Sequence, residues 1–407
     1  MAEVHLRGMT WDHARGYDPM VATSSAYGAA HPGVTITWEK RSLQAFADLP
    51  IGAMSEAYDL MVIDHPHVGE VARGGQLLAL DGLALDGRAL DGRAIDGRSL
   101  DGRGLDGRGR DGRGRDGELA ALAAGSVGLS HASYAFDGRQ WALAIDTATP
   151  VACYRPDLLA APPATWEGVM VLARAGRVGF ALIPINALMT FFGMARNIGY
   201  PLAEGDALIA PDHGAHVLDL MREIVALMDP RCLTLDPIGV WDWMGRTADA
   251  PAYAPFGYGY TNYSRDGYCP YPLVFADAPG ILTDSPRGTV LGGTGIAVSA
   301  RCAHPEVAVD YAFWIAGAAC QKGLYFASGG QPAHAAAWED DACNAATRDF
   351  FRRTRATLDG AWLRPRHDGY MGFQDAGGAI VHACLRGEAA VPATLAALDA
   401  AWRESLR

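Results

Sequence analysis

Apolar and polar residues follow one another in the N-terminal part of the chain in a pattern that predicts strand, helix, strand, helix, strand. Val4 to Met9 is a short β-compatible run, and Tyr17 to Ala30 is helix-like. Val34 to Trp38 alternates with the period of two that is typical of a half-buried strand. The apolar run Tyr58 to Ile63 ends at a polar loop. This order predicts an open α/β sheet, whose ligands bind beyond the carboxyl ends of the strands.

Between Ala79 and Glu118 the composition changes to a tandem five-residue repeat, which reads ALDGR in its best-preserved units. A glycine in every unit weakens a helix, and apolar residues with a period of five form no single stripe on a helix. A β-solenoid would need an apolar residue in each unit, but leucine is lost from Arg110 onward. A calcium site would need oxygens without neighbouring guanidinium groups, and arginine follows most of the aspartates. We predict a low-complexity insertion in a surface loop, disordered or loosely coiled, over residues 79–118.

The pattern of strands and helices continues after the repeat. Leu119 to Ala124 is helix-like, Gln140 to Ile145 resembles a buried strand, and Val151 to Tyr154 predicts another strand. Thr165 is a suitable N-cap for the next helix, since an acidic residue, Glu167, follows in the first turn.

Size and charge narrow the class of protein. The chain has 407 residues, more than a single core usually supports, so two lobes are expected. Its net charge of −12 argues against a nucleic-acid partner, because phosphate binding depends on clustered cations. No apolar window is long enough to predict a membrane span, and no basic, apolar, small-residue signal peptide is recognisable at the N-terminus.

Cysteine spacing and catalytic motifs exclude further classes. The cysteines are scattered without a CxxC pair, and we predict that they are buried thiols, not disulfides or metal ligands: Cys153, Cys232, Cys269, Cys302, Cys320, Cys343 and Cys384. The chain has no GxSxG or HExxH motif, and the glycines at 293 and 295 lack the lysine of a phosphate-binding loop. Nucleotide binding and hydrolysis by these motifs are therefore not expected.

Six segments resemble those of one protein family in order and spacing. They are the strand Tyr58–Ile63, the strand-crossover-strand run Trp141–Tyr154, the helix start Pro163–Gly168, the glycine-rich Leu291–Val298, the helix-like His304–Trp314, and Ser328–Ala333. Together they are similar to the type 1 extracellular solute-binding proteins of ABC importers, the group that includes sugar- and maltose-binding proteins. The resemblance covers nearly all of the chain outside the repeat, which is not a family feature.

The resemblance implies an α/β, two-lobed, periplasmic-binding-protein-like fold of type II with hinge crossovers. Lobe 1 is expected to hold residues 1–145, with the repeat inserted, and 291–327, whereas lobe 2 holds 146–290 and 328–407. It also implies a periplasmic monomer that binds a small-molecule solute without a cofactor and has ABC permease subunits in the membrane as partners. If the chain starts naturally at Met1, a cytoplasmic location is expected instead.

Polar and aromatic side chains near the predicted strand ends and in the later family-like segments match the needs of a sugar site. Aromatic faces cover C–H surfaces, and charged or amide groups bind hydroxyls in a cleft that closes. We predict that the ligand contacts are Trp11, Asp12, His13, Asp64, His65, His67, Asp146, Trp241, Trp243, Tyr260, Tyr263, Thr294, Gln331, Arg366 and Tyr370. As alternatives, both lobe-2 tryptophans could pack the lobe, Asp64 could cap a turn, and Arg366 could pair with a surface carboxylate.

The predicted function is a non-enzymatic solute-binding component of an ABC importer, which closes on a sugar or polyol. Acidic solutes stay possible, with Arg364 and Arg366 as their partners. One alternative is a carbohydrate-active enzyme of the glycoside hydrolase type, with Asp12 and Asp64 as its carboxylate pair.

A second alternative is a metal-binding protein. Imidazoles at two neighbouring strand ends could converge on one ion, and the candidates are His13, His65 and His67.

Overall fold

A computed structural model describes residues 3–42, 51–83, 115–283 and 285–407. The strands are β1 Val4–Trp11, β2 Val34–Arg41, β3 Leu60–Asp64, β4 Ala135–Phe136, β5 Arg139–Gln140, β6 Leu143–Ala148, β7 Pro150–Tyr154, β8 Tyr253–Tyr258, β9 Val274–Ala276 and β10 Gly292–Val298. The helices are α1 Ala14–Ala30, α2 Ile51–Ala57, α3 Val68–Gly74, α4 Asp116–Ala124, α5 Trp166–Arg174, α6 Pro184–Ile198, α7 Pro211–Val225, α8 Pro237–Arg246, α9 Pro305–Ala316, α10 Ala318–Cys320, α11 Ala335–Trp338, α12 Asp341–Ala345, α13 Phe350–Asp359, α14 Tyr370–Leu385 and α15 Val391–Ser405.

A five-stranded sheet with the order β2-β1-β3-β10-β6 forms the first lobe. β1 runs parallel to β2 and β3, and β10 runs antiparallel to both β3 and β6. The carboxyl ends of β1, β3 and β6 therefore lie at the same edge as the start of β10. At this edge Thr294 stands opposite Asp64 on one side and Asp146 on the other. Gly293 has φ +115°, and a Cβ there would lie 2.4 Å from the Asp146 carbonyl oxygen, so the close strand approach requires glycine.

A three-stranded antiparallel sheet with the order β8-β7-β9 forms the second lobe. Side chains of β7 alternate between two apolar clusters. Val151 and Cys153 belong to the cluster that continues into the first lobe, whereas Ala152 and Tyr154 pack against helices α5, α6, α7, α14 and α15. The two-lobed α/β fold expected from the sequence is confirmed, and the lobe boundaries stay a prediction.

Most predicted elements are present with shifted ends. Helix α1 begins at Ala14, earlier than predicted, because the His13 side chain accepts a hydrogen bond from the Arg15 amide and caps the helix. The Thr165 cap is confirmed, since its hydroxyl accepts from the Gly168 amide. The predicted strand from Gln140 is interrupted between β5 and β6, where the Gln140 side-chain Nε2 donates to the main-chain oxygen of Ala142.

All seven cysteines are free thiols, as predicted, and only Cys302 is less than fully buried. In the described ranges, no helix combines the length and apolarity that a membrane span needs.

The two ends of the repeat leave the first lobe side by side. The Gly82 amide donates to the Asp116 carboxylate at 3.2 Å. On the entry side, Asp81 accepts from the Arg139 guanidinium at 2.7 Å, and on the exit side Arg115 forms an ion pair with Asp310. Of the predicted insertion over residues 79–118, residues 84–114 lie outside the described residues. The prediction is wrong at the two described ends, because Leu80 is buried and Asp116–Glu118 belong to helix α4.

Candidate functional site

The shared edge of the five-stranded sheet faces the second lobe, where the end of β8 and the start of α14 lie. Asp64 at the end of β3 forms an ion pair with Arg364, which lies in the segment before α14. Arg364 Nη2 donates to the two carboxylate oxygens of Asp64 at 2.9 and 3.1 Å. Arg364 Nη1 donates to Gln374 Oε1 at 2.7 Å. The Arg364 side chain is 4% exposed and that of Asp64 is 29% exposed, so the pair is largely shielded from water.

This ion pair fixes the charge state of Asp64. Burial opposes ionisation of the carboxyl group, but the Arg364 guanidinium and His65 outweigh it and hold the pKa of Asp64 well below its usual range. His65 Nδ1 lies 3.1 Å from Asp64 Oδ1. Burial, followed by the charge of Arg364, lowers the pKa of His65 to about 4, so this imidazole is neutral near pH 7.

Several polar atoms around the pair have no hydrogen-bond partner within the described part of the chain. They include Arg364 Nε, His65 Nε2 and the Tyr370 hydroxyl, all buried. A buried polar atom without a partner costs free energy, so these atoms favour hydrogen bonds to a bound ligand, to ordered water or to residues outside the described ranges. Donors and acceptors of this kind suit a ligand with hydroxyl groups.

An aromatic group lies beside this polar cluster. The Trp11 ring stacks on His13 with centroids 5.4 Å apart, and His13 meets the edge of Tyr260 from the second lobe at 5.0 Å. Burial, followed by the charge of Arg15, lowers the pKa of His13 to about 4. Gly16 leaves the space that the Trp11 indole occupies, since a Cβ there would be 2.3 Å from the ring.

Arg15 and Gln331 join the segments that cross between the lobes. Arg15 Nε donates to Asp146 at 2.7 Å, and both groups are buried. Gln331 Nε2 donates to the main-chain oxygen of Thr147 at 2.8 Å, and its Oε1 accepts from the Thr261 amide at 2.9 Å. Arg15 was not among the residues predicted from the sequence. Its position in the first turn of a helix could have indicated a buried ion pair, because the helix dipole disfavours positive charge there unless an anion compensates.

Solved structures match this arrangement of lobes, although no family model and no curated protein matches the sequence. An ABC transporter solute-binding protein from Agrobacterium radiobacter K84, in complex with ribitol, gives a TM-score of 0.77 at 17% identity, with 99% of each chain covered. One from Thermotoga lettingae TMO, bound with α-D-tagatose, gives 0.77 at 14% identity with 100% of each chain covered. Maltose-bound MalE3 of T. maritima gives 0.74 at 13% identity, covering 98% of this chain and 99% of its own. The fold is that of two-lobed solute-binding proteins.

Within this solute-binding fold, several predicted contacts lie where the lobes meet. Those placed there by hydrogen bonds, ring contacts or strand register are Trp11, His13, Asp64, His65, Asp146, Tyr260, Thr294 and Gln331. The buried Tyr370 hydroxyl interacts with the charge of Arg364. His67 is buried next to them; its Nδ1 lies 3.8 Å from a Glu70 oxygen, and neither ring nitrogen has a hydrogen-bond partner in the described ranges. Their role as ligand contacts stays a prediction.

Other predicted contacts have structural roles within the solute-binding fold. Trp241 is fully buried against Phe275 and donates from Nε1 to the Tyr258 carbonyl, and Trp243 packs beneath the Arg231 guanidinium. The packing alternative for the two tryptophans therefore describes them better. The ring of Tyr263 is buried, and its hydroxyl donates to Asp242 at 2.9 Å.

Arg366 was predicted to contact the ligand or, as an alternative, to pair with a surface carboxylate. The structure shows different partners. Its Nη1 donates to the main-chain oxygens of Ala132, Ser133 and Ala135 at 3.1, 2.8 and 2.7 Å. Arg366 thus ties the segment before α14 to the first lobe.

The two alternative chemistries find little support in the solute-binding fold. Asp12 is exposed and pairs with Lys40 at 2.8 Å, while Asp64 pairs with Arg364, so each carboxylate of the proposed hydrolase pair has its own cation. Among the described residues, no three His, Cys, Asp or Glu side chains form a group that could hold a metal ion. The metal site proposed for the three histidines is therefore not formed.

Proposed function

We propose that this chain is the solute-binding component of an ABC importer, of the type 1 extracellular solute-binding kind, and that it binds a sugar or polyol between its lobes. The observation that carries the proposal is the set of buried polar atoms beside the Asp64–Arg364 ion pair that have no hydrogen-bond partner among the described residues, on the face between the lobes. The aromatic group of Trp11 and Tyr260 next to it supplies the flat faces that C–H surfaces of a sugar need.

Three solved structures with this fold support the choice of ligand. They are complexes with ribitol, with α-D-tagatose and with maltose. A polyhydroxylated ligand can donate to the Asp64 carboxylate and accept from Arg364 Nε and the Tyr370 hydroxyl. Because it contacts both lobes only when they are closed, it stabilises the closed state by its differential affinity. A permease in the membrane would then respond to closure of a periplasmic protein.

The ligand is best identified by native mass spectrometry of the purified protein, followed by thermal melting with ribitol, tagatose and maltose as probes. A true ligand at a hundred times its dissociation constant stabilises the protein by about 2.7 kcal/mol, which raises the melting temperature measurably. Conversion of a probe to product would point to the hydrolase alternative. Absence of any stabilisation by a wide panel of sugars and polyols would contradict the proposal.

Substitutions test where the ligand sits. Trp11→Ala and Asp64→Ala should weaken binding of the identified ligand while leaving a folded protein. Trp243→Ala and Asp157→Ala are the matched controls, because Trp243 packs beneath Arg231 and Asp157 pairs with Arg155 within the second lobe. Calorimetric titration would measure all four. If the first two variants bind as the wild type does, the site lies elsewhere.

A further inference from the structure

Arg15 is buried where the two lobes meet, and its guanidinium group is bonded to both of them. Nε and Nη2 donate to the two carboxylate oxygens of Asp146. Nη1 donates to the main-chain oxygen of Gly259 at 2.8 Å, and the guanidinium carbon lies 4.6 Å from the centroid of the Tyr260 ring. The group is therefore bonded to a carboxylate along one edge and to a carbonyl oxygen through Nη1, and it lies over an aromatic ring.

The carbonyl oxygen of Gly259 is a meeting point of three chain segments. It accepts a second hydrogen bond from Gln331 Nε2 at 3.1 Å. Gln331 belongs to the glycine-rich segment that runs between the lobes, and it also bonds to Thr147 at the end of β6. The start of α1, the segment after β8 and the segment around Gln331 are thus joined at the Gly259 oxygen, and the Gln331 amide extends the connection to β6.

The contacts of Arg15 divide into two kinds. Asp146 lies on β6, in the same sheet that α1 covers, so this ion pair stays within the first lobe. Gly259 and Tyr260 follow β8 of the second lobe, so the hydrogen bond to Gly259 and the ring contact cross between lobes. Because the carboxylate already fixes the planar guanidinium, Nη1 donates to Gly259 with little further loss of conformational entropy.

We propose that Arg15 is a positioning residue that holds the lobes together and sets the ratio of closed to open protein before any solute binds. This proposal rests on the proposed function in one respect: it takes closure of the lobes to be the movement that binds the solute. Asp146 orients the guanidinium, and Gly259 and Tyr260 are the contacts that opening breaks. Because Gln331 also bonds to Gly259, both side chains act on the same carbonyl group.

The test is the closed-to-open ratio of the Arg15→Lys variant without solute. A lysine ammonium keeps its charge beside Asp146, but it cannot bond the carboxylate through two donors and reach Gly259 as well. Loss of one charge-assisted hydrogen bond corresponds to a shift of roughly tenfold toward the open form. Single-molecule energy transfer counts both populations directly, with dyes on unnatural amino acids at the exposed positions Thr35 and Val171, one in each lobe.

Arg155 offers a matched control inside one lobe. It bonds to both carboxylate oxygens of Asp157, donates to the main-chain oxygens of Met244 and Thr247, and lies 3.9 Å from the centroid of the Tyr271 ring. Arg155→Lys removes the same kind of contacts without changing any bond between lobes. It should lower the melting temperature and leave the closed-to-open ratio as in the wild type.

Two results would overturn the proposal: an unchanged ratio in Arg15→Lys, or an equal shift in Arg155→Lys. If Arg15→Lys does not fold, Tyr260→Leu removes the ring contact without uncovering the charge, and a shift of a few fold in the same direction is expected. An unchanged ratio in Tyr260→Leu would then count against the proposal. Since no solute is present, failure of the protein to bind sugars would refute the proposed function and leave this measurement intact.

Discussion

Protonation of His65 is expected to destabilise the protein as the pH falls from about 6.5 to about 4. The unfolded chain binds this proton near the ordinary histidine pKa of about 6.5. In the folded protein, burial and then Arg364 lower the pKa of His65 to about 4, against the opposing charge of Asp64. Between these two values the unfolded state holds a proton that the folded state does not. Stability from the neutral imidazole is therefore complete above pH 6.5 and is lost progressively toward pH 4.

The size of the effect follows from the difference in pKa. The difference between a pKa of about 6.5 and one of about 4, at about 1.4 kcal/mol per pH unit, gives at most about 3.5 kcal/mol, with a slope that approaches 1.4 kcal/mol per pH unit within the window. Solvent screens this site little, because the His65 side chain is 1% exposed. Other histidines with a lowered pKa, including His13 and His131, add their own slopes, so the wild-type profile alone does not isolate His65.

The comparison that isolates it is His65→Asn, whose amide can still donate near the position of Nδ1. Urea unfolding at several pH values from about 7.5 to about 4 gives the free energy of unfolding of each protein. The wild type should lose about 2–3 kcal/mol more than the variant across this range. His5→Asn, at an exposed position of β1, controls for the substitution itself. Parallel profiles for wild type and His65→Asn would show that this imidazole is not held neutral by the fold.

Two further predictions concern the repeat and the crossing segments. Replacing residues 84–114 by a short glycine-serine linker should change the melting temperature by only a few degrees, because the hydrogen bond from Gly82 to Asp116 places their Cα atoms within about 8 Å. Calorimetry would check this, and loss of the cooperative transition would contradict it. Gln331→Leu should lower the free energy of unfolding by about 2–4 kcal/mol, because three buried main-chain groups lose a partner. A decrease below about 1 kcal/mol in urea unfolding would contradict this.

Strand order explains why part of the site could be predicted from the sequence. Apolar runs that end in polar loops mark the carboxyl ends of strands, and such ends meet at one edge of a parallel sheet. Asp64 and Trp11 were found in this way, and both lie at the edge that faces the second lobe. Asp146 followed from the resemblance, which located the crossover, and Thr294 from the glycine-rich return strand.

Residue type alone did not separate contact residues from core residues. Trp241 and Trp243 lie within the short helix α8 and carry the aromatic faces that a sugar site uses, but a tryptophan is largely buried on average. In α8, position 241 falls on the face toward β8, where Gly257 leaves room for the indole ring. Which face of a short helix meets a strand depends on tertiary packing, so the local pattern could not decide it.

The local sequence pattern also does not show which distant residues pair in the fold, and Arg15 is an example. Arg15 pairs with a residue 131 positions away and bonds to another 244 positions away, and no local periodicity encodes such distances. The sequence does carry a weak sign, because a cation in the first turn of α1 opposes the helix dipole. A group that is unfavourable where it stands must be compensated by a partner from elsewhere in the fold. For Arg15 that partner is the carboxylate of Asp146, and a buried guanidinium with further donors then has to find acceptors nearby. In this structure Nη1 donates to the Gly259 carbonyl of the opposite lobe, so the same buried guanidinium that pairs with Asp146 also links the two lobes.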